Sequence, residues 1–577
     1  MYNKSIIMIK KLIVAALSVI TIQNVFAQWD GIPSSVNNPV SNAPLADTNI
    51  TAVTDGAGGA ILAWSSYNFN TNTEYIYAQR KTAAGTISWS PAAAPLEIYS
   101  TTSAVFPQIG DLVSDGAGGA YITWVDFQND FASDIYLQRI SPTGAKLFSL
   151  PGIKLNPSPV HRYTSPKLCV DAAGVIVCWS DVIMDENTGI STSARLFAQR
   201  YNTAGTPQWV AGGVEVSTVA SFKTMAAIVS DASNGAIICF TDSRNSGTDI
   251  NGSFDNVDIY AQRLNSTGDR VWGATDAVVA NATFNQLLLE SPNEATTSMI
   301  SDGAGGCIIV YNNRSIDNYG AGNLYAQRLN ATGTRLWPVG GVPPGNINTL
   351  YKEKVKVESD GANGMVTTWN ENNFQASASG VYAQRITSSG TKLWGAGGVI
   401  ATGSLITDNV SSTMAADGTG NYVVVWTQYD ANGLNKIRGQ KLNGNGALQW
   451  AAGGVDICTN PLSYADEGNI IRSTGGAMLV AWVDSRNDAT SKTDIYSAKI
   501  EATGSLTNSS VTNSVTIANG NWNSASSWAG NTIPAAGANI IIRHAIIGNI
   551  NASCNSLKVE FPGALTVNTG IHITVLQ

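Results

Sequence analysis

The chain of 577 residues carries 33 Lys and Arg against 41 Asp and Glu, a formal net charge of −8, and 13% of it is charged while 44% is hydrophobic. That length exceeds one compact core and the composition excludes a solvated, disordered chain, so three or four ordinary units or one large repetitive assembly are expected. With an acidic balance and no basic block a nucleic-acid partner is excluded; 56 Gly, 15 Trp and 19 Tyr fit turns and strands, hence an all-β protein.

At the N-terminus, Lys4, Lys10 and Lys11 precede the apolar run Leu12 to Ile22 and then Val25-Phe26-Ala27. This order of basic, apolar and small residues predicts a secretory signal peptide over 1–27, cleaved after Ala27. The run is shorter than the ~18 residues a membrane span needs and no other stretch qualifies, so no transmembrane segment is expected after signal removal. Cys169, Cys178, Cys239, Cys307, Cys458 and Cys554 are too sparse for a disulfide framework and lack metal-type spacing. They are expected as small buried side chains, Cys169 and Cys178 on either side of one turn included.

Repetition governs the next 480 or so residues, 28–507. A turn of the form Asp-Gly-Ala-Gly-Gly starts at Asp55, Asp115 and Asp302 and, altered, at Asp171, Asp231, Asp360 and Asp417, with an eighth, degenerate copy near Ser473. A short β-rich stretch leads into each turn, and an apolar run leads out of it to an aromatic: Trp64, Trp124, Trp179, Phe240, Tyr311, Trp369, Trp426 or Trp482. This pattern predicts two strands and a tight hairpin. A third strand carries Tyr77-Ala78-Gln79-Arg80 and its counterparts ending at Arg139, Arg200, Arg263, Arg328 and Arg385, and a Gly turn then leads to Trp89, Phe148, Trp209, Trp272, Trp337, Trp394 or Trp450 on a fourth. Eight four-stranded meanders whose faces are buried by their neighbours describe an eight-bladed β-propeller. The eighth unit lacks the last tryptophan, so Trp29-Asp30-Gly31-Ile32 is expected to supply its fourth strand and close the ring. The repeat resembles the bacterial β-propeller repeats of secreted and surface proteins, a resemblance that specifies fold and leaves function open.

From 508 to 577 the pattern changes. Asn521-Trp522-Asn523-Ser524 and Ser527-Trp528-Ala529-Gly530 precede short aliphatic strands at Ile540 to Ile542, Leu557 to Val559, Leu565 to Val567 and Ile571 to Val575. This segment is similar to Trp-paired β-modules of Bacteroidota surface proteins, which implies a small β-solenoid-like module. Exported relatives often end in a sorting domain for type IX secretion; here the strand pattern runs to Gln577, and a truncated module is the expectation.

Candidate chemistry is sorted by whether it recurs, because a catalytic site occurs once and architecture occurs in every blade. The glycine turns join strand to strand and never open a helix, which removes them as phosphate cradles. The recurring arginines are expected to bond between blades. Two positions beyond the second-strand aromatic stand Asp126, Asp181, Asp242, Glu371 and Asp484, beside Ser66, Asn313 and Gln428. They define a polar binding rim for cations or sugar hydroxyls, against the plainer reading of capped strand ends. Asp242-Ser243-Arg244-Asn245 and Asp484-Ser485-Arg486-Asn487 nearly coincide, which suggests an Asp–Arg pair. Asp249, Asn251, Ser253, Asp255 and Asp258 place oxygens at near-alternate positions in one long loop, a calcium candidate lacking the bidentate Glu of an EF-hand. Only one cluster, His161-Arg162-Tyr163, has the non-recurring titratable groups a polysaccharide lyase needs: His161 or Tyr163 as base and Arg162 to neutralise a uronate.

The reading is an exported, cell-surface or extracellular propeller that recognises or adheres to a glycan or extracellular protein without catalysis. A polysaccharide lyase or glycosidase, and a purely structural surface component, are its alternatives. No cofactor is expected, calcium apart.

Overall fold

A computed structural model describes residues 29, 38–92, 94–102, 107–129, 131–155, 160–185, 187–246, 256–282, 285–288, 298–314, 322–373, 378–406, 409–429, 435–459, 465–486, 492–507, 513–528, 533–534, 538–559 and 564–575. The chain divides into a large unit, Trp29–Asn508, and a second that contains Ser509–Gln577.

In the large unit each Asp-Gly turn joins two antiparallel strands, and two more complete the sheet. Blade 1 runs Ala46–Thr54, Ala60–Asn68, Thr73–Lys81 and Leu96–Thr101, paired in that order. The first strands of blades 2 to 8 are Gln108–Ser114, Arg162–Asp171, Lys223–Ser230, Met299–Ser301 with Asn285–Leu288, Tyr351–Ser359, Asn409–Ala416 and Ala465–Arg472. Successive first strands pack side by side, and that of blade 8 packs on that of blade 1. The ring therefore closes as an eight-bladed β-propeller with almost no helix.

Second strands are apolar on both faces because both faces are buried: every residue of Ala120–Phe127 is. Strand alternation sends one set of side chains to each neighbour. Ile76, Ala78 and Ile98 of blade 1 thus share one cluster with Ile122, Trp124 and Ile140 of blade 2. Each fully buried side chain of this size contributes roughly 1.5–3 kcal/mol, so no blade needs to be stable alone.

The end of the propeller that carries the Asp-Gly turns is braced by one device used repeatedly. Asp302 Oδ1 accepts the Ala304 and Gly306 amides at 2.8 Å each, while Oδ2 accepts Arg328 Nε and Nη2 at 3.0 and 2.8 Å. Arg328 Nη1 and Trp337 Nε1 both donate, at 3.0 Å, to the Ser388 carbonyl of the next blade. Arg80 with Trp89 on Pro142, Arg263 with Trp272 on Ala331, and Arg385 with Trp394 on Gly444 repeat it. The buried Gln on the third strands of blades 1 to 7 adds a link, Gln327 Oε1 accepting the Trp337 amide at 3.1 Å. The aromatic then lies on the next blade's glycine: a Cβ on Gly333, whose φ is +79°, would sit 2.8 Å from the Trp272 ring. The recurrent Arg, Gly and Trp are thus parts of one inter-blade joint.

Blade 8 takes its fourth strand from the N-terminus, as expected, and the described pairs are Asn38 with Ser497 and Pro39 with Tyr496. Trp29 does another part of the closure. It is buried and donates Nε1 to the Ala83 carbonyl of blade 1 at 3.1 Å, as Trp450 of blade 7 donates to Ala502 of blade 8 at 3.2 Å. It stands in for the missing eighth tryptophan. Residues 30–32 lie outside the described residues.

The second unit pairs its strands in parallel. Asn513–Val515, Ala538–Ile542, Ala552–Val559 and Ile573–Val575 form one sheet; Gly520–Asn521, Ala545–Gly548 and Ala564–Val567 form another. Trp522 and Trp528 meet edge-on at 5.3 Å, Trp528 Nε1 donates to the Trp522 carbonyl at 2.8 Å, and both are buried with Ile540, Ile542 and Ile546.

Candidate functional site

A meander whose first-to-second hairpins and third-to-fourth turns lie on one face must send its remaining connections to the opposite face. There emerge the loops between second and third strands and those that lead to the next blade. The hairpin turns are near copies of each other, whereas the second-to-third loops span 69–72, 128–132, 185–190, 243–257, 315–321, 374–377, 430–434 and 485–493. Variation in length is largest on this face, which is where a binding site belongs.

The rim acids stand at the mouth of this loop face, at the ends of the second strands, and are buried with partners of their own. Asp126 Oδ2 accepts Tyr99 Oη at 2.6 Å and Gln128 Nε2 at 3.0 Å, and burial raises its pKa. Asp181 meets His161 Nδ1 at 2.8 Å and Arg195 at 3.3 Å. Asp242 holds Arg244 at 2.7 Å, and Asp484 holds Arg486; the two guanidiniums lie 3.6 Å over the Tyr260 ring and 4.1 Å over the Tyr496 ring. The repeated Asp-Ser-Arg sequence is therefore an ion pair stacked on an aromatic. Glu371 accepts Asn348 Nδ2 at 2.9 Å and lies 3.8 Å from Lys352.

Two partners of this rim escape a reading of the sequence: Lys223 and Lys352, both buried on first strands directly across from Asp242 and Glu371. Burial lowers the pKa of both lysines and the facing carboxylate opposes that. Their signal was available in the register, since each precedes its acid by a fixed strand-turn-strand distance. Blade 1 departs from the arrangement by placing Asp47 on the first strand opposite Ser66.

The calcium candidates Asp249, Asn251, Ser253 and Asp255 lie outside the described residues. Asp258 begins a third strand, buried, with Asn245 Nδ2 at 2.5 Å from Oδ2; burial raises its pKa. Among the described residues no three His, Cys, Asp or Glu side chains converge as metal ligands. All six cysteines are buried, and burial pushes the Cys178 thiol up to about 12.

The His161-Arg162-Tyr163 set divides. His161 Nδ1 is engaged by Asp181, and the buried Tyr163 hydroxyl lies 3.5 Å from the same nitrogen. Arg162 turns to blade 2, its guanidinium 5.5 Å over the Phe127 ring, and lines with Ile109, Val125 and Thr164 a cavity of about 320 Å³ between two blades. The structure therefore pairs the imidazole with a rim acid and gives the guanidinium a separate environment.

Fold and site together define an eight-bladed propeller with one braced face and one variable face. No protein-family model matches the chain, and no curated protein matches it in sequence. Among solved structures it is similar to a protein of unknown function from Dyadobacter fermentans, at TM-score 0.35 and 8% identity over 81% of this chain and 99% of that one. The β-propeller domain of the Trilobed protease from Pyrococcus furiosus gives TM-score 0.35 and 9% identity over 70% and 94%. Pyrococcus horikoshii acylaminoacyl peptidase gives 0.35 and 10% over 77% of this chain and 59% of that one.

Proposed function

We propose that the protein is exported and recognises a glycan or an extracellular protein through the loop face of its propeller, without turning the ligand over. The observation that supports this reading is the division of labour between the faces: joints of one type hold one end, and eight loops that range from 69–72 to 243–257 in span occupy the other. In this reading the rim carboxylates are the scaffold that fixes where those loops begin, and the loops make the contacts. The C-terminal unit, with its parallel pairing and buried tryptophan pair, is read as a β-solenoid-like module of the kind seen in surface proteins.

A second reading rests on His161. An imidazole oriented through Nδ1 by a carboxylate presents Nε2 as a base, the arrangement a polysaccharide lyase or hydrolase uses. A glycan array probed with the mature chain, each hit then assayed for cleavage, separates the two. Binding without cleavage supports recognition. Cleavage that disappears in His161→Ala overturns it in favour of the enzyme. Neither binding nor cleavage leaves a structural component of the surface.

A further inference from the structure

At the rim of blade 3 the groups that serve the acid are left open to water. In blades 4 and 6 the residue facing the acid on the first strand is a buried lysine, Lys223 across from Asp242 and Lys352 across from Glu371. Blade 3 has Tyr163 at that position, paired with Asp181 and buried. Asp181 draws its partners instead from His161, just ahead of the first strand, and from Arg195, directly opposite it on the third. The Arg195 side chain is 40% exposed and that of His161 23%, against 12% for Arg244 and 4% for Arg486, the guanidiniums that pair with the acids of blades 4 and 8.

Both heads are fixed in place. One Asp181 oxygen holds His161 Nδ1 at 2.8 Å and the other holds Arg195 Nη2 at 3.3 Å. The guanidinium carbon stands 5.1 Å over the Phe197 ring, which stacks in turn on the buried Trp179. The His161 carbonyl accepts the Ser133 amide of blade 2 at 3.2 Å. Neither contact exhausts its side chain: among the described residues Arg195 Nε and Nη1 and His161 Nε2 have no protein partner. The side of blade 2 packed here brings Phe127, Ile135 and Leu155, none of them ionisable. The stretch 156–159 that leads to His161 reads Asn-Pro-Ser-Pro and carries no charge either.

The two open heads call for different chemistry. A guanidinium only donates, so Nε and Nη1 of Arg195 suit an anion. A carboxylate that already pairs with a guanidinium accepts from Nδ1, so the neutral imidazole turns a lone pair outward at Nε2, which suits a hydroxyl. An anion beside a hydroxyl is the signature of an acidic sugar, whereas an acidic peptide side chain offers only the first. We propose that the rim of blade 3 is a subsite for an acidic sugar: Arg195 receives its anion, a carboxylate or a sulfate ester, His161 Nε2 accepts a ring hydroxyl, and Asp181 positions both. This rests on the glycan branch of the function proposed above, names its ligand class and needs no turnover.

The test is calorimetric titration of the full mature chain with oligogalacturonate and with a sulfated galactan oligosaccharide. Each is run beside its neutral counterpart, the methyl ester or the desulfated chain, and beside oligoglutamate. One acidic sugar should bind about tenfold or more tighter than its neutral counterpart and than oligoglutamate, and which one does so names the anion. For that ligand Arg195→Gln should lower affinity roughly tenfold, Arg195→Lys less, and His161→Ala about threefold. The comparison of charged with neutral sugar uses the unaltered chain and stands if a variant fails to fold. Equal affinity for acidic and neutral sugars, an Arg195→Gln titration superimposable on the parent, or tighter binding of oligoglutamate overturns the subsite and leaves glycan recognition standing. Failure of both acidic sugars to bind, with hits elsewhere on the glycan array, does the same. No sugar bound anywhere on the array overturns both.

Discussion

The hairpin face and the loop face solve opposite problems with the same strands. On the hairpin face an Asp, a Gly, an Arg and a Trp recur at fixed positions because they meet across the joint: the Asp ties its own turn to the Arg, and the Arg and Trp converge on one carbonyl of the next blade. On the loop face the rim residues differ in kind, and the acids take several kinds of partner: His161 and Arg195, an arginine two positions on in blades 4 and 8, Lys352, or Tyr99. Recurrence marks what the ring needs to stay closed. Divergence marks where the chain is free to acquire a function.

The comparison predicts a steep gradient of sensitivity. Asp302→Ala should cost most, about 3–5 kcal/mol by denaturant unfolding, because it strands a largely buried guanidinium and orphans two turn amides at once. A cost below ~1 kcal/mol would mean that the hairpin face is not held by this pair. Gly333→Ala comes next, at roughly 2–3 kcal/mol, since it combines a left-handed backbone with intrusion into the Trp272 ring. Gly303→Ala, at φ +72° with its nearest neighbour 3.6 Å from the added Cβ, carries the backbone strain alone and should cost about 1–2 kcal/mol. Equal losses at the two glycines would remove the aromatic contact from the account of the joint.

Much of this face was legible from repetition because its chemistry is local and periodic. The Asp-Gly turn, the Gln-Arg pair and the tryptophan recur at spacings that strand alternation converts into geometry; on the opposite face, the Asp242–Arg244 pair could be inferred from its near copy at Asp484. What was not legible depends on contacts distant in sequence. That Asn38 and Pro39 pair with Ser497 and Tyr496 depends on an alignment some 450 residues away in the chain. Lys223 and Lys352 reach their acids only through the register of paired strands. His161 and Arg162 are sequence neighbours that the fold gives to different surroundings.

Smaller effects sharpen the comparison further. Trp337→Phe keeps the ring on Gly390 and deletes the hydrogen bond to Ser388, so about 1 kcal/mol should be lost, with Phe148 of blade 2 as the native precedent for a joint without it. His161→Ala should lie at the bottom of the scale. The imidazole side chain is 23% exposed and Asp181 retains Arg195 at 3.3 Å, so stability should change by less than ~1 kcal/mol. Its value lies in that contrast: a substitution on the loop face that leaves the unfolding curve in place while altering binding or turnover would separate function from architecture at a single side chain. A loss as large as that of Asp302→Ala would instead show that the rim is as much a part of the closed ring as the hairpins are, and the loop face would lose its claim to be the variable one.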